Sequence, residues 1–160
     1  VGSILCVPSS PVPLCREVLV QLLVFAPTYP ILPGTAVEVF HHSAEIPAQI
    51  TELVSLLDRA SGDVIRLRPR VLSRHATAVV RVSLGRRGHG AGFPLEVFSS
   101  NKDMARLLFR MHGETIAAGC VLRFITALEQ QPTLAHHFIS SPTDLRGDLD
   151  PRLALLHRRT

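Results

Sequence analysis

Short apolar runs, broken at close intervals by proline and glycine, follow one another from Val18 to Ile125. Val18–Phe25 is apolar at almost every position, which predicts a strand covered on both faces. Ala36–Phe40 follows the turn Pro33-Gly34. In Ala48–Leu57 the apolar positions Ile50, Leu53, Leu56 and Leu57 sit among polar neighbours, and helix and strand spacings compete there. The turn Ser61-Gly62-Asp63 separates that run from Val64–Leu67. Thr77–Leu84 alternates, with Ala78, Val80 and Val82 on one face and Arg81 and Ser83 on the other. Pro94–Phe98, Leu107–Phe109 and Thr115–Ile125 complete the set, and in the last Ile116, Ala118, Cys120, Leu122 and Phe124 share a face. About eight strand-length runs within roughly 110 residues predict an antiparallel sandwich or barrel.

Beyond Ala127 the pattern ends. Glu129–Asp150 is polar and broken by proline, and the expectation is a partly disordered tail. Asp150-Pro151 can open a short helix with Leu153, Leu155 and Leu156 on its apolar side. With 160 residues, 46% of them hydrophobic and 19% charged, the chain is long and apolar enough for one self-sufficient domain, so global disorder is excluded. The longest apolar stretch, Val18–Ala26, is interrupted by Gln21 and too short for a membrane helix. Cys6, Cys15 and Cys120 show no paired or metal-type spacing, so all three are expected to be small buried groups in a reducing compartment, the cytoplasm. The chain begins Val1-Gly2-Ser3 without a methionine and reads as a piece of a longer protein.

Charge adds one feature. Between Arg59 and Arg87 eight arginines face a single acid, Asp63. Arg66, Arg68, Arg70, Arg86 and Arg87 are therefore candidates for RNA or ribosome contact, against the plainer reading of a solvated face. The chain has sixteen arginines and one lysine, Lys102, an imbalance that reads as compositional bias. Stacking residues are scarce, with no tryptophan, one tyrosine and seven phenylalanines mostly inside apolar runs, so an RNA-binding barrel has only its electrostatic half.

Catalytic patterns fail one by one. Asn101-Lys102-Asp103-Met104 nearly spells the guanine-reading N-K-x-D, but its fourth position is Met104 and no phosphate-cradling G-x-x-x-x-G-K-[ST] loop exists. Adjacent histidines His41-His42 and His136-His137 would point to opposite faces of a strand and could not share an ion. There is no G-x-S-x-G elbow, and no base can be assigned to any cysteine. The expected catalytic, cofactor and metal residues are none.

Six segments in order resemble the C-terminal barrel of translational GTPases related to elongation factor 1-alpha. They are Val1–Pro8, Pro30-Ile31-Leu32-Pro33-Gly34, Leu57–Asp63 with Arg68-Pro69-Arg70-Val71-Leu72, Pro94-Leu95-Glu96-Val97-Phe98, Arg106-Leu107-Leu108-Phe109-Arg110, and Thr115-Ile116-Ala117-Ala118-Gly119-Cys120-Val121. Ala105 and Leu107 depart from the family's glycine and phenylalanine, and the loop Arg86–Gly92 is longer than usual. Phe40–Pro47 and Leu53–Gly62 resemble most the HBS-like ribosome-rescue GTPase, then the GTPase subunit of the release factor, with elongation factor 1-alpha a poorer fit. The resemblance implies an all-β fold, a closed six-stranded antiparallel Greek-key barrel of the elongation factor Tu C-terminal type. Residues 1–14 would leave a preceding middle barrel, 15–127 would form the C-terminal barrel and 128–160 a tail.

The function so implied is non-catalytic docking of a tRNA-shaped factor, Pelota or a release factor, in ribosome rescue and in no-go and non-stop mRNA decay. The other partners would be the ribosome and the parent protein's own G domain and middle barrel, with GTP and magnesium confined to that G domain. The release-factor relatives use against their partner the strand that here reads Arg106, Leu107, Leu108, Phe109 and Arg110, which the resemblance makes the candidate partner-binding residues. Four residues apart on a strand, Arg106 and Arg110 share a face. The plainer alternative is that they only pair with neighbours such as Glu96 or Glu114.

Overall fold

The computed structural model describes residues 4–85 and 92–125. The tail 128–160, Arg86 and Arg87 lie outside the described residues. Among the described residues nine strands follow in order: β1 Leu14–Cys15, β2 Glu17–Val24, β3 Thr35–His41, β4 Ala44–Leu57, β5 Val64–Leu67, β6 Thr77–Leu84, β7 Phe93–Pro94, β8 Arg106–Met111 and β9 Glu114–Phe124. Six of them run in the order β3-β8-β9-β2-β6-β4, every pair antiparallel, and β4 returns to β3 to close the ring. The chain is thus the expected closed six-stranded antiparallel barrel. Closure leaves β2, β3, β4, β6, β8 and β9 with a strand on each side, which removes their edges. β5 hangs outside the ring on β4, and among the described residues β1 pairs only with β7. The connections from β2 to β3 and from β6 to β8 join strands on opposite sides of the ring.

The interior is filled by alternate residues. Val18, Val20, Leu22 and Val24 from β2 meet Ala78, Val80, Val82 and Leu84 from β6 and Leu107 and Phe109 from β8, all buried. Each such large aliphatic side chain withdrawn from water contributes about 1.5–3 kcal/mol. β2 is buried on one face only, with its other face half-covered, so its continuous apolar run does not mark a strand between two layers. The reason is barrel geometry, in which one face always looks outward.

β9 departs from the single-face expectation because it carries two bulges. Its register slips opposite Leu19/Val20 and again opposite Phe109/Arg110. Ile116, Ala117, Cys120 and Val121 are all buried as a result, while Ala118, Leu122 and Phe124 are only half-buried. Between them Gly119 lies against β2 so closely that a Cβ would stand 2.6 Å from Val20 Cγ1, 2.8 Å from Leu22 Cδ2 and 2.9 Å from the Gln21 carbonyl oxygen. A side chain there has no space, which gives the glycine of the T-I-A-x-G-x-V segment its physical reason. The run Pro94–Phe98 is a strand only over Phe93–Pro94. Beyond it the chain turns across the barrel wall, with Phe98 N–H donating to the Val121 carbonyl at 2.8 Å and Val121 N–H donating to Ala105 at 2.9 Å.

Candidate docking face

β8 ends in a tight connection. On its C-terminal side His112 (φ 51°) and Gly113 (φ 79°) form the two-residue loop to β9, with Met111 opposite Glu114. Two left-handed residues match the twist of a hairpin. This fixes which β8 residues look out. Arg106 and Leu108 are exposed and Arg110 half-exposed on one face, while Leu107 (2% exposed) and Phe109 (0%) point into the core. Of the five residues expected to meet a partner, Leu107 and Phe109 are therefore corrected to core residues. Period-two alternation is the cause.

Neighbouring strands extend the outward row. Phe40 of β3 lies opposite Leu108, and Leu108 lies opposite Ala118 of β9. Leu108 is 48% exposed, and Phe40 and Ala118 are partly so, giving a short apolar row across three strands. Charge surrounds it. Glu38 is paired with Arg110 and Glu45 with Phe40 across the ladders. Arg110 is held from two sides: its Nη2 donates to the Gly113 carbonyl at 2.8 Å, and its guanidinium lies 5.4 Å from the Phe40 ring centre. Arg106 Nη1 stands 3.7 Å from Asp103 Oδ1, an exposed pair worth little by itself. Neither arginine pairs with Glu96 or Glu114. Those carboxylates accept from Ser100 Oγ and from Thr28 N–H instead.

The described arginines of that candidate set, Arg66, Arg68 and Arg70, do not join this face. Arg66 is on β5 and Arg70 just beyond it, both exposed. Arg68 (φ 46°) lies 3.8 Å from Glu52, which also stands 3.6 Å from Arg81. β5 attaches to the far half of β4, away from the half that pairs with β3.

Other sequence candidates resolve into structural roles. Asn101 Oδ1 accepts from the N–H groups of Asp103 and Met104 at 3.2 and 3.3 Å, so the near-match to N-K-x-D is a loop turn closing on itself. Lys102 sits over Phe98, 5.7 Å from the ring centre. His41 and His42 do not point apart; the hairpin turn puts His42 at φ 52° and brings the two rings to 4.5 Å, edge to face. His41 is buried, with Nε2 3.2 Å from the Met104 carbonyl. Among the described residues no three of His, Cys, Asp and Glu converge as metal ligands. Cys15 and Cys120 are buried as expected, but Cys6 is exposed, a correction. Burial pushes the Cys15 thiol up to about 11, against the lowering by nearby backbone hydrogen bonds, so it stays protonated and donates to the Phe93 carbonyl at 3.2 Å. Among the described residues no helix is long and apolar enough to cross a membrane.

Phe40 and Glu38 belong to the face although nothing in their own strand marks them as site residues. Alternation places them outward, but only the β3–β8 register brings them beside Leu108 and Arg110.

A closed six-stranded barrel with a two-residue hairpin presenting β8 outward defines the class: a C-terminal barrel of the translational GTPase type. Residues 17–122 match the GTP-eEF1A C-terminal domain-like family, and the chain belongs to that family. Among its relatives, Protein HBS1 of Drosophila melanogaster is 29% identical over 123 residues, covering 77% of this chain and 18% of that protein. Elongation factor 1-alpha of Pyrobaculum aerophilum is 31% identical over 126 residues, covering 76% and 26%. A crystal structure of sup35 complexed with GDP shares the fold, with a TM-score of 0.66 at 18% identity over 74% of this chain and 28% of that one. The chain thus spans only 18% and 26% of the length of those two sequence relatives.

Proposed function

We propose that the chain is the partner-docking barrel of an HBS-like translational GTPase of the cytoplasm, and that the outer face of β3, β8 and β9 receives a tRNA-shaped protein such as Pelota during ribosome rescue. In this reading the barrel performs no chemical step. GTP and magnesium are held by a G domain outside the chain. The observation that carries it is the row Phe40–Leu108–Ala118 flanked by Arg106, Arg110, Glu38 and Glu45. An apolar centre with a charged rim and arginine anchors is the make-up of protein interfaces, where a few anchors hold most of the energy. Arg110, already restrained by Gly113 and Phe40, loses little further freedom on binding.

The test is the double reversal Arg106→Glu/Arg110→Glu in co-precipitation with purified Pelota. The loss expected on reversing both arginine anchors is at least about 2 kcal/mol, roughly thirtyfold in affinity, with an unchanged circular dichroism spectrum. Undiminished capture of Pelota by the reversed protein refutes the assignment. The elongation factor 1-alpha relatives and the sup35 fold favour a second reading, the same face on a release-factor or elongation-factor subunit. Capture of a class-one release factor in preference to Pelota would select it.

A further inference from the structure

β5 is the part of the sheet that ring closure leaves unfinished. Val64–Leu67 pairs with β4 alone and ends the strand order, so among the described residues its other edge has no strand beside it. All four of its residues are exposed, with Val64 at 40%, Ile65 at 62% and Leu67 at 60%. An open edge carrying aliphatic side chains is a template for another strand, and proteins ordinarily blunt or cover such edges. Arginines frame it. Arg59, Arg66, Arg68 and Arg70 are exposed around it; Arg68 is drawn towards Glu52, whereas Arg66 and Arg70 have no carboxylate in reach among the described residues.

We propose that the open edge of β5 is a second docking site, for an extended acidic segment of a partner protein that adds to the sheet as a further strand. Main-chain hydrogen bonds along the edge would supply the affinity, and alternate side chains the selectivity. Aliphatic residues of the segment would cover Val64, Ile65 and Leu67, and its carboxylates would meet Arg66 and Arg70. The aliphatic content favours a peptide over RNA, since single-stranded nucleic acid is held by aromatic platforms and phosphate contacts, and β5 carries no aromatic. The site lies on other strands than the β3–β8–β9 face, so the two assignments stand or fall separately.

The test uses the whole 160-residue chain and a fluorescein-labelled synthetic peptide alternating valine or isoleucine with glutamate. Binding is followed by anisotropy, and its location by amide shifts in nitrogen-15 NMR. Micromolar binding is expected, with shifts concentrated at Val64–Leu67. Arg66→Glu/Arg70→Glu should weaken it at least about tenfold, the scale of one lost charge-assisted contact, while Arg106→Glu/Arg110→Glu leaves it unchanged. Three results overturn the proposal: no binding of this peptide, equal binding by the Arg66/Arg70 reversal, or tighter binding of oligouridylate at the same residues with a steep loss on added salt.

Discussion

His41 and His42 stand side by side in the chain, yet the hairpin between β3 and β4 gives them opposite environments. His41 is 2% exposed, donates from Nε2–H to the Met104 carbonyl, and has Phe93 at 5.5 Å between ring centres; His42 occupies the turn in water. Burial, and next the charge of His42, lower the His41 pKa from its ordinary 6.5, while the bond to the Met104 carbonyl opposes them. A base with a lowered folded pKa binds more protons when unfolded in the interval just below 6.5. Stability contributed by neutral His41 is therefore complete above that value and declines as pH falls through the interval. Thermal unfolding between about pH 5 and about pH 7 should show a steeper rise with pH in the native protein than in His41→Gln, which keeps a donor but cannot titrate. Parallel pH profiles for the two proteins would remove His41 from this role. Sequence marked the pair but could not orient it, because orientation follows from the position of the turn. A strand continued through His42 would have separated rings that in fact touch.

At the scale of elements, most strands were legible and their irregularities were not. Val64–Leu67 and Thr77–Leu84 coincide with the predicted runs, and the alternation of Arg106–Met111 sorts that strand into an outward and an inward face. β4 reads ambiguously for a physical reason. Its register shifts between Ile50 and Glu52 and again between Leu53 and Ser55, so an extra residue enters each time and the buried positions Ile50 and Leu53 fall three apart, as on a helix. Thr51 is the first inserted residue, with Oγ1 donating to the Arg81 carbonyl at 3.3 Å. Deleting Thr51 would leave Ile50 and Leu53 two apart, both inward and still opposite Val82 and Val80, with Glu52 outward opposite Arg81, so the deletion removes the bulge without turning a buried residue to the other face. The deletion protein is therefore expected to keep one cooperative urea transition, with a stability lower than the native protein's by about 1 kcal/mol, as in Thr51→Ala, which loses the same hydrogen bond. Loss of the cooperative transition on deletion would mean that the bend supplied by the bulge is needed to close the ring.

For the whole molecule, the ring explains both what sequence could convey and what it could not. Strand count, turn chemistry and the six resembling segments lead to a barrel, because each is local. The outward face is not local: Phe40, Leu108 and Ala118 come from three strands and become neighbours only through the antiparallel registers β3–β8 and β8–β9. Arg66, Arg68 and Arg70 are the reverse case, close together in sequence but split in space from the β8 face. That separation decides how binding should respond to salt. A face with an apolar centre, two arginines and two glutamates releases few counterions, so affinity for a protein partner should change by less than about tenfold between roughly 50 and 200 mM salt. RNA held by five arginines would instead lose on the order of a hundredfold over the same range, from a slope of about −0.7 per neutralised phosphate. Measuring partner capture across that range separates the two uses of the barrel wall, and a hundredfold loss would move the functional surface from β8 to the arginine candidates Arg66, Arg68, Arg70, Arg86 and Arg87.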